Sequence, residues 1–274
     1  MPDNLMNIVE QHVVGKHSLE DCEDGIVATD YYVAVIDGST SKTPHHFNAT
    51  MKNGRYCMLA VSQFVRTAPP NATLQQFCRL LTAAVRTLYP PHVQAEALPP
   101  HERLCASAVV YSRHCHEVWM IGDCQCMVDS QTYPNEKPYE EALARQRAAA
   151  FEDAQKLHPD MVCRGRLLHD YARDTIVASL IASMAGQNRT YAVVDGTPIF
   201  MPGVKTISIS RTCRQIVLAS DGYPVLCPTL TASEDALHDL LDKDPYCVRT
   251  FKATKGLMAG NASFDDRAYI RFTP

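Results

Sequence analysis

Positive charge, long apolar runs and tryptophan are all scarce in this chain. Lys and Arg number 26 against 30 Asp and Glu, a formal net charge of -4. No long-range field draws phosphate backbones or anionic lipid, so neither nucleic acid nor a membrane surface is an expected partner. No apolar run approaches the roughly 18 residues of a membrane-spanning helix. The start, MPDNLMNIVEQ, lacks the basic-then-apolar order of a secretion signal, and a cytoplasmic location is expected. No Gly-x-Ser-x-Gly elbow occurs and no two histidines stand four apart, which removes the usual serine-hydrolase and zinc-hydrolase signatures. Cysteine is plentiful at 11, but the number is odd and the residues lie in apolar runs such as Tyr56-Cys57-Met58-Leu59. Buried free thiols in a reducing compartment are expected. The Cys124-x-Cys126 pair near His114-Cys115-His116 has no second ligand pair at zinc spacing.

What the chain does have is acids at strand ends. Tyr31 to Ile36 is β-branched and apolar, then stops at Asp37-Gly38. RQIVLASDGY ends another apolar run at Asp221-Gly222, SFDDRAYIRF opens a third with Asp265-Asp266, and HEVWMIGD closes at Gly122-Asp123. A single such Asp is ordinarily a turn residue. The repetition of the pattern points further, because a carboxylate beside an unhindered carbonyl is what a hard cation requires.

Between these runs the periodicity changes. Leu74, Phe77, Cys78, Leu81, Val85 and Leu88 recur at helical spacing, predicting a helix over Thr73–Tyr89 that Pro90-Pro91 stops. Met51–Val65 reads as helical with a first turn weakened by Gly54. Further helices are predicted over Asn135–Leu157 and Tyr171–Ala185, at Glu234–Leu241 and around Cys247–Lys255. Strands are expected over Ile26–Asp37 as a pair turning at Thr29-Asp30, in a hairpin turning at Arg113-His114-Cys115, and at Thr206–Ser210, Gln215–Ser220 and Arg267–Phe272. Trp119, Tyr31, Tyr32 and Phe64 are assigned to the core. The order predicts an α+β fold: two mainly antiparallel sheets packed face to face between helical layers, an α-β-β-α sandwich. Residues 1–274 are expected to form a single domain, with a helical insertion or flap over about 135–190.

If Asp37, Asp123, Asp221 and Asp265 gather at one rim, each like-charge pair at about 4 Å and an effective dielectric of about 20 costs roughly 4 kcal/mol. Such a cluster requires protonation or cations. All-oxygen ligation selects Mg2+ or Mn2+ over zinc. Two such ions about 3.5–4 Å apart would activate a bridging water and clamp a phosphate for in-line attack.

In chain order, Glu23-Asp24, VAVIDG, MIGDCQ, VLASDGY and GNASFDDRAYIRF resemble the motif series of the type 2C metal-dependent protein phosphatases, as a divergent, bacterial-type member. The resemblance spans nearly the whole chain. It implies Asp37 as the metal-bridging aspartate, the Gly38 carbonyl as a ligand, and Asp221 and Asp265 completing a two-metal core that serves as the catalytic set. It further implies Glu23 and Asp24 as contacts to metal-bound water, Asp123 beside a third, weaker ion, and Asp266 behind the ligands. The implied activity is Mg- or Mn-dependent hydrolysis of phosphoserine and phosphothreonine in a phosphoprotein substrate, opposite a Ser/Thr kinase pathway.

Departures from the pattern are specific. Where relatives place an Arg for the substrate phosphate, the candidates here are Lys16, His17 and Lys42. Glu20-Asp21 competes with Glu23-Asp24 as the early acidic pair, and His45 or His46 stands as a candidate general acid beside metal-bound water. Two other functions use the same residues: a non-catalytic binding module on this scaffold, and a hydrolase of small phosphoesters.

Overall fold

The computed structural model describes residues 6–274. Strand β1 (Asn7–Val14) precedes the hairpin β2 (Asp24–Ala28) and β3 (Tyr32–Gly38), followed by α1 (Asn53–Thr67) and α2 (Leu74–Arg86). Next come β4 (Ala106–Ser112), β5 (Glu117–Ile121), β6 (Gln125–Val128) and β7 (Gln131–Tyr133). Helix α3 (Glu140–Leu157), the ribbon β8 (Val162–Cys163) and β9 (Arg166–Leu167), and α4 (Tyr171–Ser183) lead into β10 (Lys205–Ser208) and β11 (Ile216–Ala219). Helix α5 (Leu230–Lys243) and β12 (Arg267–Thr273) complete the order.

Two five-stranded sheets run β1-β12-β11-β6-β7 and β10-β5-β4-β3-β2, and every pairing is antiparallel. Side-chain alternation explains how they stack. Val33 and Val35 of β3, with Val109 and Tyr111 of β4, face Ile216, Leu218, Ile270 and Phe272 of the other sheet. The alternate residues Tyr32, Ala34 and Ile36 point away and meet Val61, Val65, Phe77 and Leu81 of α1 and α2. Both faces of β3 are therefore covered, which is why its sequence is a continuous apolar run rather than an alternation. The outer face of the first sheet, Met127, Val217 and Tyr269, is covered by Tyr223 and Leu226 of the loop before α5 and by Leu230 at its start. The expected α+β sandwich is the observed one.

Helix α2 starts where predicted because Thr73 accepts from the Gln76 amide while the Gln76 side chain caps Thr73. Three expectations fail. The segment Cys247–Lys255 is not helical. Its backbone groups are satisfied by side chains instead: Asp244 accepts from the amides of Val248, Arg249 and Thr250, and the buried Arg147 guanidinium takes the carbonyls of Tyr246, Cys247 and Ala253. Helix α3 begins at Glu140 rather than Asn135, because the Asn135 side chain instead donates to the Gly122 carbonyl at 2.6 Å. Tyr31 is 46 % exposed, lying in the β2–β3 turn where the alternation has already ended. Strand β1 went unpredicted; it pairs with β12 across nearly the full chain length.

Candidate active site

Strand register builds the site. Asp24 pairs directly with Asp37 across β2 and β3, and Asp37 pairs with Ser107 across β3 and β4. The Ser107 hydroxyl donates to Asp123, which follows β5. Gly122 sets that turn with φ of +96°, and a side chain there would collide with Ser107. In the facing sheet Asp221 follows β11 while Asp265 and Asp266 precede its antiparallel neighbour β12, so the end of one strand abuts the beginning of the other. Both sheets present these ends at the same edge of the sandwich. There a cavity of about 390 Å³ is lined by Asp37, Gly38, Asp123, Asp221 and Asp265, joined by Glu140 of α3.

Of the two candidate acidic pairs, Glu23 and Asp24 are both buried, whereas Glu20 and Asp21 are exposed. Glu23 Oε1 and Asp24 Oδ2 are buried without a hydrogen-bond partner among the described residues. Glu23 Oε2 accepts from the Thr40 hydroxyl at 2.6 Å. Asp266 ties the chain start to this rim, accepting from the amides of Lys16 at 2.7 Å and Glu23 at 3.1 Å. Gly54 also has a role that propensity did not reveal: a Cβ at that position would collide with Glu23 Oε1 and the carbonyls of Gly38 and Ser39.

The charges at the rim are partly balanced by the chain itself. Lys137 pairs with Asp123, Lys255 with Asp265, and Lys16 Nζ lies 3.3 Å from Asp265 and 3.0 Å from Asp266. Burial would raise the carboxyls of Asp123 and Asp265, but these ammonium groups and the accompanying hydrogen bonds hold both below the usual aspartate range. Asp37 and Asp221 are different. Burial pushes both well up, and neighbouring carboxylates add to it: Asp24 first for Asp37, and Asp37 then Asp265 for Asp221. Asp24 is raised in the same way by burial and by Asp265, Asp266 and Asp221, despite a hydrogen bond from Ser220. Burial also raises Glu23, outweighing Thr40 and Lys16.

Oxygens of Asp123, Glu140 and Asp221 all lie within 4.8 Å of one another. These three carboxylates make an all-oxygen donor group suited to a hard divalent cation. The residues present fit such an ion.

Of the sequence candidates for substrate phosphate, Lys16 is engaged with carboxylates. His17 is exposed beside Asp21 at 3.4 Å. Lys42 lines the cavity. His45 and His46 are exposed and lie outside the cavity lining, with the His45 ring edge-on to Phe47. Cys124 and Cys126 lie in the core between the sheets, not at the rim. Sequence reasoning missed Glu140, Lys137, Lys255 and Arg173, which line the cavity from segments whose composition reads as ordinary charged surface.

No family model and no curated protein matches this sequence. Solved structures do. The serine/threonine phosphatase PstP/Ppp of Mycobacterium tuberculosis is 13% identical, with 98% of each chain covered and a TM-score of 0.48. Serine/threonine phosphatase Stp1 of Staphylococcus aureus is 12% identical over 97% of this chain and 94% of its own, with a TM-score of 0.45. The PPM Ser-Thr phosphatase MsPP of Mycobacterium smegmatis, solved with cacodylate, is 13% identical over 97% and 99%, with a TM-score of 0.46. At such distances the site residues of this chain have to carry its function.

Proposed function

We propose that this chain is a divalent-metal-dependent phosphatase that hydrolyses phosphoserine and phosphothreonine in proteins. The observation that supports it is the gathering of carboxylates from both sheets around one cavity, three of them close enough to share an ion. In this reading Asp37, the Gly38 carbonyl, Asp221 and Asp265 hold two Mn2+ or Mg2+ ions, and Asp123 with Glu140 holds a weaker third. Glu23 and Asp24 orient water at the ions, and Asp266 fixes the chain start behind them. Bound ions supply Lewis acidity toward the phosphoryl group and an acidified water. The chain's own part is to hold the carboxylates against their mutual repulsion, through Lys16, Lys137 and Lys255. We read residues 1–274 as one catalytic domain, with 135–190 as a helical flap over the cavity. Its substrate would be a phosphoprotein of a kinase pathway in the cytoplasm.

Hydrolysis of p-nitrophenyl phosphate should require added Mn2+ and fall by orders of magnitude in Asp37→Asn and in Asp221→Asn. Turnover indifferent to EDTA and to both substitutions would exclude the proposal. A phosphopeptide panel set against nucleotides separates a protein phosphatase from a hydrolase of small phosphoesters. One observation favours a second reading: three lysines already neutralise much of the rim, as a non-catalytic binding module on this scaffold would need. Calorimetry with no Mn2+ binding below millimolar, together with no turnover, would select it.

A further inference from the structure

The cations around the cavity are not equivalent. Lys16, Lys137 and Lys255 each pair with rim carboxylates. His169 lies 2.7 Å from Asp174. Lys42 and Arg173 also line the cavity, yet among the described residues neither makes an ion pair with a carboxylate. Lys42 Nζ donates to the Thr40 carbonyl at 2.6 Å, and the Arg173 guanidinium donates to the Thr254 carbonyl. The acids on their side of the cavity are already committed. Asp170 is bound by the buried Arg147 at 2.9 Å and 2.8 Å and caps α4 through the Arg173 amide at 3.0 Å, while Asp174 has His169.

Two long cationic side chains thus line the same cavity and, among the described residues, donate to carbonyls rather than to carboxylates. Lys42 comes from the loop after Gly38 and Arg173 from the first turn of α4, so two separate segments bring these cations to the cavity that the carboxylates also line. Their proximity costs energy. Burial and then Arg173 and Lys255 pull the Lys42 amine down to about 7, and burial lowers Arg173 as well. An anion placed between them would remove that cost, and a tetrahedral dianion offers enough oxygens for an ammonium and a guanidinium fork together.

We propose that Lys42 and Arg173 form the phosphate cradle of this cavity, a substrate-positioning pair that takes the phosphoryl oxygens of a phosphate monoester. The identity of the substrate rests on the phosphatase reading above; the anion site does not.

The test uses inorganic phosphate as the probe, titrated calorimetrically into the full chain with EDTA and again with saturating Mn2+. Wild type should bind phosphate in both conditions. Lys42→Met and Arg173→Gln should each weaken binding by about tenfold or more, and Arg173→Lys, which keeps charge but loses the fork, by less. With p-nitrophenyl phosphate, Arg173→Gln should raise KM by a similar factor while kcat changes little. Near-UV circular dichroism identifies a variant that fails to fold, and Arg173→Lys and Lys42→Met then carry the measurement. Phosphate binding in both variants equal to wild type, or turnover with unchanged KM in Arg173→Gln, overturns the cradle. Binding that is lost in the variants of a protein without any turnover supports the cradle and removes only the phosphatase reading.

Discussion

Lys16 holds both oxygens of Asp266: its backbone amide donates to Oδ1 at 2.7 Å and its ammonium lies 3.0 Å from Oδ2. The same ammonium is 3.3 Å from Asp265 Oδ1 and 3.7 Å from Glu23 Oε2. Lys16, a candidate for substrate phosphate by its place in the sequence, has its ammonium paired with three carboxylates in the fold. An ammonium and a divalent cation would compete for the same oxygens. Lys16→Met removes the ammonium and leaves the backbone bond. Metal-free protein should then lose about 2 kcal/mol, the size of a hydrogen bond to a charged group. Under saturating Mn2+ the gap to wild type should narrow, because the variant, with no ammonium competing for these oxygens, binds the ion more tightly, and a ligand of the native state adds stability as the logarithm of its concentration over its Kd. Urea unfolding with EDTA and with Mn2+ measures both. An equal loss in the two conditions would show that lysine and ion do not compete.

Gly54 gives a prediction whose sign depends on the site. In an ordinary exposed first turn, Gly→Ala stabilises a helix by up to about 1 kcal/mol. Here the added Cβ meets Glu23 Oε1 and the Gly38 and Ser39 carbonyls, none of which is the free end of a flexible exposed side chain. Overpacking against such atoms costs about 1–3 kcal/mol and outweighs propensity. Gly54→Ala should therefore lower the urea midpoint and weaken Mn2+ binding in the same protein. A higher midpoint with unchanged affinity would show that the close approach of α1 to this rim is unimportant.

The acids were legible in the sequence because strands announce themselves by composition, and Asp37, Asp123 and Asp221 sit where strands stop while Asp265 sits just before one starts. Their convergence was not, since periodicity fixes which face a residue takes but not which strand lies beside it. That information lies in the register, where Asp24 meets Asp37 and β11 meets β12. Glu23-Asp24 and Glu20-Asp21 stand alike in the sequence; the fold separates them by burial, since only the first pair is buried. The helix expected around Cys247–Lys255 failed for an instructive reason. Propensity counts local partners, whereas this segment takes its partners from Arg147, some hundred residues earlier, and from the Asp244 carboxylate. Lys255, carried by that irregular segment, was for the same reason invisible as a site residue.

Lys42 makes the pH dependence of stability a probe of the cavity wall. Burial, with Arg173 and Lys255 nearby, lowers its amine from an ordinary 10.5 to about 7. Between those two values the unfolded chain holds a proton that the folded chain has released. Unfolding then takes up a proton, so this group's contribution to stability rises with pH across the window, is complete above about 10.5, and is lost as pH falls through about 7. Lys42→Met has no such proton, and the difference in urea midpoint between the two proteins should change steadily in favour of wild type from about pH 7 to about pH 10. Phosphate in the cradle would stabilise the protonated amine and shift the window upward, so saturating inorganic phosphate should flatten the difference near neutrality. A midpoint difference that stays constant with pH would mean that the Lys42 amine is solvated like a surface lysine, and that the wall holds no cation in need of an anion.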